Sequence, residues 1–294
     1  MNRTRPLRAI QQLHVGTVCH TEPQALETLR LAVAAGFEGI ELNGFMVRPT
    51  PLLVRGLTRL SGMPAGRGGR LDWARLVGEA GLAVVALHED LGRIERDPDT
   101  VIHDAVRFGT DKVVITGLYR FDYTDSLAIA ALAGRLNRAG ERLAQAGARL
   151  AYHNHNVELR RLPDGDTALE RLLQLTDPAL LGFEFDAYWP TVVGADPVAL
   201  MRGLGKRCEL LHLTDRGTRA RGSSLTPIDK ADTVELGDGH IDLAALVQQA
   251  KAVGVHAVIL ETHRNWVDRS PTASFQRSAA FLRTHLPDTE EVHL

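Results

Sequence analysis

Short β-like runs alternate with amphipathic helical segments along the whole chain, a rhythm satisfied by a parallel sheet wrapped in helices. Eight such runs are legible: Arg8 to Leu13, Gly39 to Leu42, Ala83 to Leu87, Lys112 to Thr116, Arg149 to His155, Leu181 to Asp186, Glu209 to Leu213 and Ala257 to Thr262. A helix is predicted from Thr124 or Asp125 to Gln145, with Leu132, Leu136, Ala139 and Leu143 on one stripe and Gly147 as its stop. Another begins at Thr21 with Pro23 in its first turn and ends at Gly36, burying Leu26, Leu29 and Val33. Later helices start at Asp166, Asp196 and Asp242.

Eight βα units in 294 residues fit a (β/α)8 TIM barrel, about 250 residues with loop insertions. An open doubly wound α/β sheet is the alternative. It loses support because no GxGxxG turn follows the first strand and no P-loop is present. The expectation is therefore one barrel domain over residues 1–294, with short flexible termini at about 1–6 and 286–294. Two long connections, Gly44 to Arg70 and Arg216 to Gly239, follow strands and so belong to the catalytic face of such a barrel.

Charge narrows the partners. Lys and Arg total 34 against 36 Asp and Glu, leaving a formal net charge of -2 and no basic footprint for nucleic acid. The two cysteines, Cys19 and Cys208, form no CxxC, which argues against a disulfide framework or a Cys-rich zinc site. No apolar run approaches the ~20 residues of a membrane span, and the arginines near the start are not followed by a signal-peptide core. These features predict a cytoplasmic protein without membrane or nucleic-acid partners; a homo-oligomer is compatible with them.

The chemistry concentrates in Tyr152-His153-Asn154-His155-Asn156-Val157-Glu158, directly after a β-like run. Side chains alternate faces along a strand, so His153 and His155 look into one space. A lone histidine is usually a satisfied core or surface residue, and even a pair can simply be hydrogen-bonded. The next three strands, however, each end in a potential ligand: Asp186, His212 and Glu261. Below His212 and Glu261 on the same faces lie Leu210 and Ile259, so each polar residue caps an apolar layer. Burying so many ionisable groups is costly unless something neutralises them, and a divalent cation would. Imidazole plus carboxylate suits Mn, Fe, Co or Zn better than Ca, with manganese the first choice and Mg a further option. Glu41 and His88 also end strands and would face substrate across the mouth or sit behind it. Trp189 would wall a sugar ring, or merely pack under a loop.

In these segments, together with Phe185-Asp186-Ala187-Tyr188-Trp189, Leu211-His212-Leu213-Thr214-Asp215, Glu235-Leu236-Gly237-Asp238-Gly239-His240-Ile241-Asp242 and Ile259-Leu260-Glu261, the chain resembles the xylose isomerase-like TIM barrel family of sugar phosphate isomerases and epimerases. The motifs come in family order and cover the C-terminal half; the N-terminal half agrees mainly in its βα rhythm. The resemblance implies one divalent metal held by Glu, Asp, His and Glu from strands five to eight. Asp186, His212 and Glu261 carry over directly. His153 stands where the first glutamate is usual, with Glu158 the second choice. The resemblance also implies that His155 is a catalytic base or acid, as in related sugar isomerases and dehydratases, and its motif neighbours resemble those of inosose dehydratase; Glu158 is next for proton transfer or for holding a sugar hydroxyl. Thr214 replaces a lysine found in many relatives, so no role of that lysine transfers.

The chemistry implied is removal of a proton next to a carbonyl, with a metal ion stabilising the enediolate. Its substrate would be a small sugar, keto-sugar or cyclitol. Isomerase or epimerase action is the first expectation. A lyase, an inosose or keto-sugar dehydratase, would share the site. A metal-dependent endonuclease is disfavoured by the balanced charge, and a non-enzymatic sugar-binding protein is the remaining alternative. Arg48, Arg55, Arg59, Arg67, Arg70, Arg216, Arg219 and Arg221 in the long loops suit an anionic substituent, with Arg216 named as a substrate contact; such loops are also often merely solvated.

Overall fold

The computed structural model describes residues 5–49, 70–219 and 227–288. Eight parallel strands close into a barrel: β1 (Leu7–Gln11), β2 (Gly39–Asn43), β3 (Ala83–Glu89), β4 (Lys112–Thr116), β5 (Arg149–His153), β6 (Leu181–Asp186), β7 (Cys208–Leu213) and β10 (Ala257–Leu260). Two three-residue strands, β8 (Asp215–Gly217) and β9 (Asp232–Val234), form an antiparallel hairpin beyond β7. The single TIM barrel expected from the βα rhythm is the fold found.

Two apolar clusters follow from strand alternation. Inside the barrel, Leu7, Ala9, Val85, Ala86, Val114, Ala151, Leu210, Ala257 and Ile259 form a compact plug of mostly small side chains. The opposite strand faces pack against the helices, where Ile10, Leu42, Leu87, Phe183 and Phe185 are buried with Leu132, Leu136 and Leu143 of the helix Ser126–Ala144. Asp125 caps that helix through the Leu127 and Ala128 N–H groups, and Gly147, with φ 77°, turns the chain into β5. The helix Glu22–Ala35 ends at Gly36, whose φ of 108° makes the left-handed cap.

Several boundaries differ from the sequence reading for local reasons. β1 stops at Gln11 because its side chain accepts the Leu13 N–H at 2.6 Å and starts a short helix, Gln12–Val15. β5 stops at His153, since the His155 N–H is drawn to Glu158 instead of a neighbouring strand. The helix expected from Asp166 is capped by Thr167, which forms a capping box with Glu170. In Glu22–Ala35 the buried stripe runs through Ala25, Thr28, Leu29 and Ala32, leaving Val33 exposed. Near the ends of the chain, Leu286 is fully buried and Asp288 pairs with Arg5 at 2.6 Å and Arg8 at 2.5 Å.

His14 is fully buried between β1 and the last helix, Pro271–His285, with Nε2 3.0 Å from the Pro271 carbonyl. Burial pushes its pKa down to about 4, outweighing the Pro271 hydrogen bond and the Glu235 charge. The unfolded chain therefore takes up this proton first. His14 contributes stability above its unfolded value of 6.5 that is lost as pH falls towards 4, about 3 kcal/mol in all. Denaturant unfolding of His14→Gln should vary less steeply with pH over that window than unfolding of the parent; parallel curves would refute the assignment.

Candidate active site

The register decides which strand-end side chains meet. Thr116, His153 and Glu184 are neighbours across β4, β5 and β6, as are Asp186 and His212 across β6 and β7. On the other side, Gln11 pairs with Glu41 and Asn43 with His88. All share the inward parity of the apolar plug, so the mouth of the barrel is a ring of polar groups over a hydrocarbon floor.

These groups form two tiers. In the upper one, His153 Nε2 lies 3.8 Å from Asp186 Oδ2, and His212 Nδ1 lies 2.9 Å from Glu261 Oε2. The four residues offer ligand atoms all within 4.8 Å of one another. Bonds of about 2 Å to a common ion hold neighbouring donors about 3 Å apart, so this spacing fits one cation with little movement. Two nitrogens and two carboxylate oxygens suit a divalent transition metal. In the lower tier, Glu184 Oε2 sits 2.9 Å from His153 Nδ1 and 2.8 Å from His88 Nε2, while its Oε1 is 3.2 Å from His212 Nε2. Glu41 adds contacts of 2.6 Å to His212 Nε2 and 3.1 Å to His88 Nε2. His88, His153, Glu184 and His212 make a second group of converging ligand atoms.

Burial and charge set the protonation. Desolvation lowers the affinity of His88 and His212 for a proton, but nearby carboxylates overturn this: Glu41 and Glu184 raise His88 to about 10, and Glu184, Glu41 and Glu261 raise His212 well above its usual value. Glu184 and Glu261 are held below the carboxylate range because the facing imidazoles outweigh burial. Asp186 goes the other way, to about 7, through burial and the charge of Glu261. His155 falls to about 3, first by burial and then by the charge of His153, so at neutral pH it is a free base.

His155 stands beside the upper tier, its ring 5.0 Å from that of His153 and 5.4 Å from that of Trp189. Both imidazoles thus look into one space although β5 has ended. Trp189 lies in the short helix Tyr188–Val192, whose start is fixed by Asp186 Oδ1 accepting the Tyr188 N–H at 2.7 Å.

Glu158, the second choice for the first ligand, is engaged away from the converging ligand atoms. Its Oε1 accepts the Tyr152 hydroxyl at 2.7 Å and its Oε2 accepts the His155 N–H at 2.9 Å, with Tyr123 2.9 Å behind Tyr152. Gly117 gives it room, since a Cβ there would lie 2.4 Å from Glu158 Oε1. It joins neither converging group. Glu41 and His88, expected to face substrate or to sit behind it, are buried among the imidazoles and carboxylates of the lower tier.

Sequence reasoning passed over Glu184. Its signal was alternation: it precedes Asp186 by two positions and so shares its inward face. The role of Asp215 was equally invisible. Its carboxylate accepts the N–H groups of Arg216, Gly237, Gly239 and Ile241, which joins two motifs separated by the β8–β9 hairpin. A side chain at Gly239 would place Cβ 2.3 Å from Asp215 Oδ1. Thr214 donates to the Glu261 carbonyl.

The loop arginines divide. Arg48 pairs with Glu89 and, at 2.6 Å, with Asp104; Arg219 bonds Glu235 and the Asn265 carbonyl, each at 2.7 Å. Arg216 lines a separate cleft with Thr191, Pro197, Thr218 and His240, away from the two tiers. Arg70 is exposed. Arg55, Arg59, Arg67 and Arg221 lie outside the described residues. Among the described residues, no helix is long and apolar enough to cross a membrane.

The rhizopine catabolism protein MocC of Rhizobium meliloti is 28% identical over 235 residues, which span 75% of this chain and 68% of that protein. Among solved structures, a sugar phosphate isomerase/epimerase from Parabacteroides distasonis aligns with a TM-score of 0.76 at 21% identity, covering 98% of this chain and 96% of its own. The IolI protein, solved with a zinc atom bound, aligns with a TM-score of 0.64 at 13% identity, covering 95% of this chain and 97% of its own. The model of the xylose isomerase-like TIM barrel matches residues 29–285, and with the closed eight-stranded barrel on the page the chain belongs to that family.

Proposed function

We propose that this protein is a divalent-metal-dependent isomerase or epimerase that moves a proton next to the carbonyl of a sugar, keto-sugar or cyclitol. One observation carries the reading. The ends of four successive barrel strands bring ligand atoms of His153, Asp186, His212 and Glu261 within 4.8 Å of one another, while His153 Nδ1 and His212 Nε2 each face a carboxylate beneath. An imidazole backed by a carboxylate is the usual form of a metal-ligating histidine. The upper tier is therefore assigned as the metal centre, and the lower tier as its support. When bound, the divalent ion, manganese by first choice, supplies positive charge where the substrate oxygen becomes negative.

The protein's own groups do the rest. His155 stands at the edge of the centre as a neutral imidazole, within reach of a substrate carbon lying over the upper tier, and removes and returns the proton. Trp189 closes the wall beside it and offers an apolar face to a ring. Glu158 acts on His155 indirectly: by accepting the His155 N–H it fixes the turn that presents the imidazole. Among the described residues a neutral substrate fits better than an anionic one, since Arg48 and Arg219 are engaged in ion pairs and Arg216 faces another cleft.

A lyase is the second reading, favoured by the same imidazole. Having taken the proton, His155 can pass it to a β-hydroxyl leaving from the same face. Incubation with a panel of sugars, keto-sugars and inososes in D2O separates the two. Isomerase or epimerase action incorporates deuterium next to the carbonyl, whereas dehydration produces an enone absorbance. Neither signal from the metal-loaded protein on any member would count against the enzyme reading.

Asp186→Ala and Glu261→Gln should each lose bound manganese on dialysis, by elemental analysis, while keeping the far-ultraviolet dichroism of the parent. Metal retained at parental stoichiometry would move the centre elsewhere. His155→Ala should keep its metal and lose about 10²- to 10⁴-fold in proton exchange.

Glu158 offers a sharper contrast. Glu158→Gln keeps an acceptor for the His155 N–H and a partner for Tyr152, so it should retain most turnover, whereas Glu158→Ala should lose most of it. Equal loss in both would make the carboxylate itself the proton-transfer group.

A further inference from the structure

Glu184 is the residue around which the polar ring is arranged. It is fully buried, it sits one inward position below Asp186 on β6, and its two oxygens face three imidazoles at 2.8, 2.9 and 3.2 Å. A carboxylate so far from water carries a desolvation cost of several kcal/mol, and breaking such a network by removing one member is strongly destabilising. Its position also has a directional consequence. His153 has two nitrogens, and because Nδ1 is turned to Glu184, Nε2 is the one left facing Asp186. His212 is divided in the same way: Nε2 faces Glu184 and Glu41, and Nδ1 faces Glu261. Glu184 therefore decides which atom of His153 enters the upper tier, and it shares that role at His212 with Glu41, whose Oε2 is nearer at 2.6 Å.

From this geometry we infer that Glu184 is the positioning residue of the metal centre: it orients His153 and His212 and, through them, supplies negative charge that strengthens their bonds to a divalent ion. The inference rests on the assignment of the upper tier as the metal centre. Glu41 assists at His212 alone of the two, since among the described residues the imidazoles it pairs with are His212 and His88. Glu184 is thus the shared support of both nitrogen ligands. A hydrogen bond from a ligating imidazole to a carboxylate raises the basicity of the ligand and fixes its tautomer, and its loss typically lowers metal affinity about 10- to 100-fold.

Titration of metal-free protein with Co(II) alone tests this without a known substrate, because the visible absorption of the bound ion reports affinity and coordination together. Glu184→Gln preserves size and leaves one oxygen to accept the His153 N–H, so it removes charge with little change of shape. The expected result is Co(II) binding about 10- to 100-fold weaker than in the parent, with the same absorption band shape. Glu41→Gln, measured alongside, should lose less, because it leaves the His153 contact intact. Unchanged affinity in Glu184→Gln would overturn the inference. A loss as complete as that of Asp186→Ala, with an altered band in any residual complex, would also overturn it, because Glu184 would then be a ligand in the lower tier. If Asp186→Ala and Glu261→Gln bind Co(II) normally, the upper-tier assignment itself fails, a result distinct from either of these. Should Glu184→Gln prove too unstable to purify, Glu184→Asp supplies the same readout: it keeps the charge and shortens the reach, so affinity should fall while thermal stability stays nearer the parent. Parental affinity in Glu184→Asp would argue against positioning.

Discussion

The cost of burying charge at one end of the barrel governs how the site is built. Glu41, Glu184 and Asp186 converge with His88, His153 and His212 as buried groups, with Glu261 and His155 half-buried at the edge. Isolated carboxylates there would not stay ionised. The fold meets this cost by interleaving the two residue types. Nearly every imidazole nitrogen of the lower tier faces a carboxylate oxygen, and the mutual attraction keeps His88 and His212 protonated and Glu184 charged. A divalent cation in the upper tier would take over that positive charge.

Above the tiers, the rim is held by backbone hydrogen bonds collected on buried carboxylates. Asp215 gathers four N–H groups and sets the turn containing Gly237 and Gly239. Glu235 holds Arg219 at 2.7 Å and the Val267 N–H at 2.9 Å, linking the connection after β7 to the one after β10. Glu158 fixes the turn after β5. A carboxylate accepting several N–H groups is a stiff joint, because each bond is charge-assisted and the directions differ. The turn that carries His155 is thus tied to a carboxylate three residues further along the chain.

Much of this was legible in the chain. Alternation gave the barrel, and strand-terminal Asp186, His212 and Glu261 could be read as one cluster because parallel strands in a barrel all end on the same face. Leu210 and Ile259 were correctly placed under their polar caps. Glu184 was missed because a glutamate flanked by Phe183 and Phe185 resembles an outward position of a half-exposed strand; in a barrel covered by helices both faces are buried, so polarity no longer marks the outside. Val33 was misplaced for a related reason: several stripes of one helix are apolar enough to pack, and the sheet selects among them.

The sequence by itself determined the βα rhythm, the closure into eight units and the residue types at the strand ends, since these depend on local periodicity and on which side chains alternate inward. Only the tertiary structure decided which nitrogen each histidine turns to the upper tier, that Glu158 folds back to Tyr152, and that Asp215 reaches across to Gly239. Those outcomes are set by barrel register and by distances between residues far apart in the chain, down to fractions of an ångström, and no spacing along a single segment encodes them.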